Sequence, residues 1–478
     1  MKVRIRLARI AGIPVFAALL FLPAGTARAG GGDILLVGAN SFDDLDKSDG
    51  AHDGVFNVSG SLTLSPGASI LCNDSGPSTA SACPISIVVG GDLFMGDGSS
   101  ILAENNFGGG SGGNIRIRVN GTLFDVGPGA VISSRKNAAT DAAGAGGIFI
   151  AVGSLISLGG GGVSCNQDLG DVSVAPGALI TSDGNGQAGA IGIFAGNSIA
   201  VGGTVRAQGL TTTGRGGAIT LGACFGGLGT AASSVVSSRG GGPGADLVFL
   251  RGEVVEIHGL VESTGPGQQA PNGHNSCNAP GRPANSTACV QVISATSIDV
   301  ETEAQINADT GFSGGTQGTG WIDFLSLGNI AIHGDLSLPF ALHANQGLTN
   351  GHGGTILIRS IGGGNVTLTG RAIQANSTSG GGKGGNVTVE ATFGTVDLGQ
   401  AAVMAQGSQT GGGGQAGGRI TVNAFLGDLN GSSPGEVNAR GGLGPTTGTV
   451  SLNFCNDFNY TGGSTPSALV TQICAGPI

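Results

Sequence analysis

Between residues 85 and 454 the chain alternates apolar and polar residues in short runs, and most runs follow a pair of glycines. GGNIRIRV at Gly112, GGIFIAV at Gly146, GGAITLGA at Gly216, GGTILIRS at Gly353, GGNVTVEA at Gly384 and GGRITVNA at Gly417 are copies of one phrase. Apolar residues at every second place predict half-buried strands, and beyond the N-terminal leader no stretch keeps helical spacing over three turns. The first inward aliphatic of each copy is expected at Ile85, Ile115, Ile148, Ile191, Ile219, Leu247, Val290, Ile322, Ile356, Val387, Ile420 and Val450. Most of these starts lie 28 to 34 residues apart, and two gaps of 43 mark inserted loops.

A second phrase recurs inside each period: an aliphatic, any residue, Ala or Ser, then a polar residue. Examples are Ile306-Asn307-Ala308-Asp309, Ile373-Gln374-Ala375-Asn376 and Val437-Asn438-Ala439-Arg440, with Leu102-Ala103-Glu104 offset by one. Self-similarity at about thirty residues predicts a solenoid, since three strands of about five residues with their turns fill one winding. The fold class is therefore all-β, a parallel β-helix of about eleven or twelve coils. Inward Ile, Val and Leu stack along its axis, each contributing roughly 1.5 to 3 kcal/mol, and neighbouring windings stabilise one another. The small Ala or Ser marks where the tube narrows.

Composition makes sense only with this period. Glycine supplies 97 of 478 residues and proline 17, near the level at which an unpatterned chain is disordered. In a coil that turns several times per winding, glycines take the corners, where positive φ is needed.

The ends depart from the pattern. Lys2, Arg4, Arg6 and Arg9 precede a short apolar run and Ala27-Arg28-Ala29, which reads as a secretory signal over residues 1–29. Residues 30–84 are expected to form an N-terminal cap, 85–454 the β-helix and 455–478 a C-terminal cap. The signal makes the expected location extracytoplasmic: secreted, on the cell surface or in the periplasm, and no apolar run is long enough to span a bilayer.

Removing the leader takes five basic residues and no acid, moving the net charge from −10 to about −15 (15 basic against 30 acidic). Such a surface disfavours nucleic acid. Eight cysteines in an exported chain read as four disulfides. Spacing pairs Cys72 with Cys83, Cys277 with Cys289 and Cys455 with Cys474, leaving Cys165 with Cys224. The run from Pro266 to Cys289 reads as a loop projecting from the shaft.

With its Gly-Gly corners, alternating Ile/Val strands and small inward residues, the chain resembles the right-handed parallel β-helices of bacterial surface proteins, in particular filamentous-haemagglutinin-like adhesins. The resemblance covers roughly residues 85–454 and implies a right-handed coil. It also implies a structural or adhesive role, with loops contacting a host or neighbouring cell surface, matrix or polysaccharide.

Candidate chemistry is sparse. NGHGG, Asn350 to Gly354, resembles the Gly-His-Gly loop of β-helical polygalacturonases, which makes His352 the one catalytic candidate and a polysaccharide hydrolase or lyase the alternative function. The carboxylate pair that such chemistry needs is not recognisable. His333, His343 and His352 fall within one coil, with Asp335 nearby; by alternation His333 and His343 point outward, since Ile332 and Leu342 take the inward places, but they sit on different strands. Asp43, Asp44, Asp46, Asp49 and Asp53 form an acidic run that could take calcium, although Asp49 stands where a calcium loop wants glycine. Calcium is thus the one cofactor this sequence suggests. A lone Trp321 and a lone Tyr460 are thin equipment for stacking sugars.

Overall fold

The alternating runs assemble into parallel ladders. A computed structural model describes residues 32–48, 53–72, 81–106, 109–136, 143–153, 155–158, 162–165, 169–241, 245–265, 286–310, 319–345, 352–377, 381–408, 416–442 and 447–474. Most windings lay down three strands, as in Ile115–Val119, Leu123–Val126 and Val131–Ser133. They define a first, a second and a third face, and Leu247–Ile257 and Ser286–Val300 run unbroken through the first two. The first two faces belong to one 26-stranded sheet, and the third is a 14-stranded sheet of its own. Successive windings pair in parallel on all three faces. Among the described residues the antiparallel exception is Leu155–Leu158 with Gly162–Cys165, in one of the two long intervals.

The repeat spacing translates directly into register. Ile85, Ile115, Ile148, Ile191 and Ile219 are successive ladder partners. Val290, Ile322, Ile356, Val387, Ile420 and Val450 continue the column. The twelve strands of the first face from 85 to 454 thus enclose about eleven windings. One expectation moves by a residue: Val248, not Leu247, joins the inward column, and Leu247 turns out beside Cys289. On the third face Ile101 stacks on Ile132, so the second phrase there begins at Ile101 and carries no offset. These columns form one continuous core whose Ile, Val and Leu side chains are all but sealed from water.

The glycine pairs are explained differently from the sequence expectation. At the corner leading into the first face they do not adopt left-handed φ; they permit close approach of two backbones. The amide of Gly418 donates to the carbonyl of Ala405 at 2.7 Å, and that of Gly385 to Ala375 at 2.8 Å. Positive φ occurs at the corner between the second and third faces. There Gly127-Pro128-Gly129-Ala130 forms a type II turn, with Gly129 at φ 67° and Ala130 N–H donating to Gly127 O at 3.1 Å.

The ladders also run beyond both ends of the recognised repeat. Ile34–Leu36 pairs with Leu62–Leu64, which pairs with Leu93–Met95. The segment read as an N-terminal cap therefore carries rungs of the shaft, together with a short helix, Phe42–Ser48, that buries Phe42 and Leu45. At the other end Phe458–Tyr460, Gly463–Thr465 and Leu469–Gln472 add further parallel strands, leaving Leu469 and Val470 exposed. Among the described residues no helix is long and apolar enough to cross a membrane.

Candidate functional site

Outward positions on the first face stand in two rows, two residues apart along each strand. In the first row Ser86, Arg116, Phe149, Gly192, Thr220 and Phe249 follow one another as ladder partners. The second row runs Val88, Arg118, Ala151, Phe194, Gly222 and Arg251. Phe149 therefore faces Gly192 along the axis, and Phe194 faces Gly222. The two rings meet diagonally, with centroids 5.5 Å apart and planes inclined by 39°. A Cβ on Gly192 would come 2.9 Å from Phe194 Cε2 and 3.4 Å from Phe149 Cδ2. One on Gly222 would stand 3.1 Å from Phe194 Cδ1. The rings thus lie down over positions without side chains and form a low, half-buried aromatic platform.

The platform floors a groove of about 610 Å³, lined also by Asn114, Arg116 and Thr220. Arg116 and Arg118 project from the same strand and are exposed. Arg118 Nε donates to Asn120 Oδ1 at 3.0 Å, and no carboxylate of the described residues pairs with either guanidinium. The sequence reading overlooked this site because it sought Trp and Tyr. The signal was there in Phe149 and Phe194 on neighbouring copies, with glycine at the facing outward places.

The residues singled out from sequence lie elsewhere and apart. His352 is half-buried at the corner before the strand Thr355–Ser360, and its Nδ1 accepts the Lys383 amide at 3.1 Å. Burial, and secondarily the Lys383 charge, pushes its pKa below the ordinary value. His333 sits on the second face, with Nε2 3.4 Å from Asp299 Oδ1. His343 is on the third face, with Nδ1 2.9 Å from Asp309 Oδ2. Asp335 accepts from the backbone and hydroxyl of Ser337, both at 2.7 Å. Each histidine has its own local partner, and the three do not converge.

Asp43, Asp44 and Asp46 lie on the short helix rather than in a loop. Asp46 accepts the amides of Gly54 and Val55, at 3.1 Å each, and Asp53 accepts that of Val55 at 3.0 Å. Asp49 lies outside the described residues. No group of three or more metal-ligating side chains is poised around a common point among the described residues.

Trp321 is on the outward side of its strand yet only 1% exposed, packed with Cys289, Leu247 and Leu357 apart from the main core. Tyr460 donates to Gly463 O at 2.8 Å, and burial pushes its pKa up to about 12. Trp321, sealed from solvent, offers no platform to a ligand.

Cys72 is bonded to Cys83 and Cys455 to Cys474, with Cα separations of 5.6 and 4.6 Å. Cys224 and Cys289 are also disulfide-bonded. The side chains of Cys165 and Cys277, their expected partners, lie outside the described residues, as do residues 266–285 of the run expected to project.

Comparison with family models, curated protein sequences and solved structures finds no match.

Proposed function

We propose that this protein is an extracytoplasmic binding scaffold, an adhesin-like shaft that holds an extended ligand against its first face without turning it over. The observation that carries this reading is the Phe149–Phe194 platform in its groove, set on strands that are rigid because every inward neighbour is packed. Sites on such elements keep their geometry better than sites on loops. The leader-like start and the bonded cysteines favour export. Binding is favoured over catalysis because, among the described residues, the one charged group acting on His352 is Lys383, whereas polysaccharide cleavage at such a histidine needs a pair of carboxylates beside it.

Cell fractionation and an attachment assay test the proposal together. The chain is expected outside the cytoplasm, and cells or beads carrying it are expected to be retained on extracellular matrix or neighbouring cells. Phe149→Ser with Phe194→Ser is expected to abolish retention at an unchanged melting temperature. Recovery in the cytoplasm, or steady release of reducing ends from a polysaccharide, overturns the reading.

A further inference from the structure

We propose, resting on the binding-scaffold reading, that the ligand of the first face is an acidic polysaccharide, a chain of uronate-type sugars running along the solenoid axis. The argument begins with charge. The twelve first-face outward positions on the six strands from Ile85–Val89 to Leu247–Ile257 hold three arginines and no carboxylate; on the last strand the exposed Glu253 lies past them, at the register shift between Gly252 and Val254. The whole chain has 30 acidic against 20 basic residues. A stripe free of acid on an acidic protein is a local reversal of sign, and Arg116, Arg118 and Arg251 are all exposed along it. None of the three pairs with a carboxylate of the described residues. Lower on the same face the pattern differs: Arg359 is tied to Asp323 at 2.7 Å.

The second part of the argument is spacing. Rungs repeat about every 4.8 Å along the axis, an interval close to the length of one pyranose. The arginines lie on either side of the aromatic platform: Arg116 and Arg118 one winding before Phe149, and Arg251 two windings after Phe194. A sugar ring stacked by its C–H face on Phe149 or Phe194 therefore has neighbours in the polymer that reach guanidinium groups in both directions. Planar guanidinium matches carboxylate with two parallel hydrogen bonds, which lysine cannot do. The glycines at 192 and 222 keep the floor low enough for a flat ring, where any side chain would prop up the phenyl groups. An extended acidic peptide would satisfy the arginines but makes no special use of a paired aromatic floor.

Titration calorimetry with three polymers of matched length tests this: polygalacturonate, amylose and poly-L-glutamate. Polygalacturonate is expected to bind, to weaken as salt is raised, and to weaken roughly tenfold for Arg116→Gln and again for Arg118→Gln. Phe149→Ser and Gly192→Val are each expected to weaken it by a similar factor at an unchanged melting temperature. Poly-L-glutamate binding as tightly as polygalacturonate overturns the polysaccharide assignment, and so does indifference to both arginine substitutions. Amylose binding as tightly, still lost in Phe149→Ser, overturns the acidic class but leaves the scaffold reading standing. Failure of all three polymers to bind an exported chain overturns the ligand class alone, whereas a cytoplasmic chain removes the scaffold reading.

Discussion

The carbonyl oxygen of Ala439 lies where a side chain on Gly417 would have to begin. The same holds one winding earlier for Ala405 and Gly384, and before that for Ala375 and Gly353. At this corner the small residue ending the third face and the glycines opening the next winding are one device, in which two backbone segments touch with nothing between them.

Gly417→Ala is therefore expected to cost about 3 kcal/mol or more, because the obstacle is backbone and cannot swing aside. Gly363→Ala is the control: a Cβ there meets nothing within 4 Å, and its backbone is not left-handed. It is expected to stay within about 0.5 kcal/mol of the parent. Chemical denaturation of both variants checks the contrast. Equal stabilities would mean that the corner yields and that the glycine pairs have another purpose.

These two corners show how far the sequence could be read. Alternation and repeat spacing gave the strands, their parallel stacking and all but one member of the inward column, since Val248 and Leu247 are both aliphatic and periodicity cannot choose between adjacent candidates. The role of glycine at the Gly-Gly corner was not legible, because a composition says that a residue lacks a side chain but not which carbonyl takes its place. The rungs before residue 85 were missed for a related reason: Ile34–Leu36 and Phe56–Val58 are only three residues long, too short for alternation to register. The aromatic platform depends on which outward residues become neighbours across windings, and that relation exists only once register is known.

Asp323 is the buried anion of the first face, 2% exposed, and Arg359 and Gln291 hold it at 2.7 and 3.2 Å. Arg359→Ala leaves that carboxylate with one neutral partner in a dry site, so a loss of about 2 to 3 kcal/mol is expected. The double variant Arg359→Ala with Asp323→Asn is expected to regain much of it, because the uncompensated charge is gone. If the double variant is as unstable as the sum of two single losses, packing rather than charge accounts for the effect.

Asp299 sits in a crowded acidic neighbourhood on the second face. Burial raises its pKa first of all; Glu301 and Glu256 add to the rise, while His333 and His258 oppose it. A carboxyl whose folded pKa is raised favours folding below its unfolded value of about 3.8 and loses that contribution as pH climbs. At neutral pH it therefore burdens the fold. Asp299→Asn is expected to raise the melting temperature at pH 7 and to leave it nearly unchanged at pH 3.5. A lower melting temperature at pH 7 would show that the 3.4 Å approach of His333 outweighs the desolvation.

His352 shows the reverse dependence. Its folded pKa lies below the ordinary 6.5 because burial, and then the Lys383 charge, disfavours the imidazolium. In the unfolded chain the ring takes up a proton more readily, so protonation draws the equilibrium toward unfolding. The contribution to stability is complete above pH 6.5 and fades as pH falls from there through the folded value. Protonation would also turn Nδ1 from an acceptor of the Lys383 amide into a competing donor. His352→Gln keeps a side-chain acceptor but cannot titrate. The parent is therefore expected to lose more stability than the variant between pH 7.5 and 5.5, with both falling alike below that range. Identical pH profiles for the two proteins would place the imidazole in water and remove it from the account of this corner.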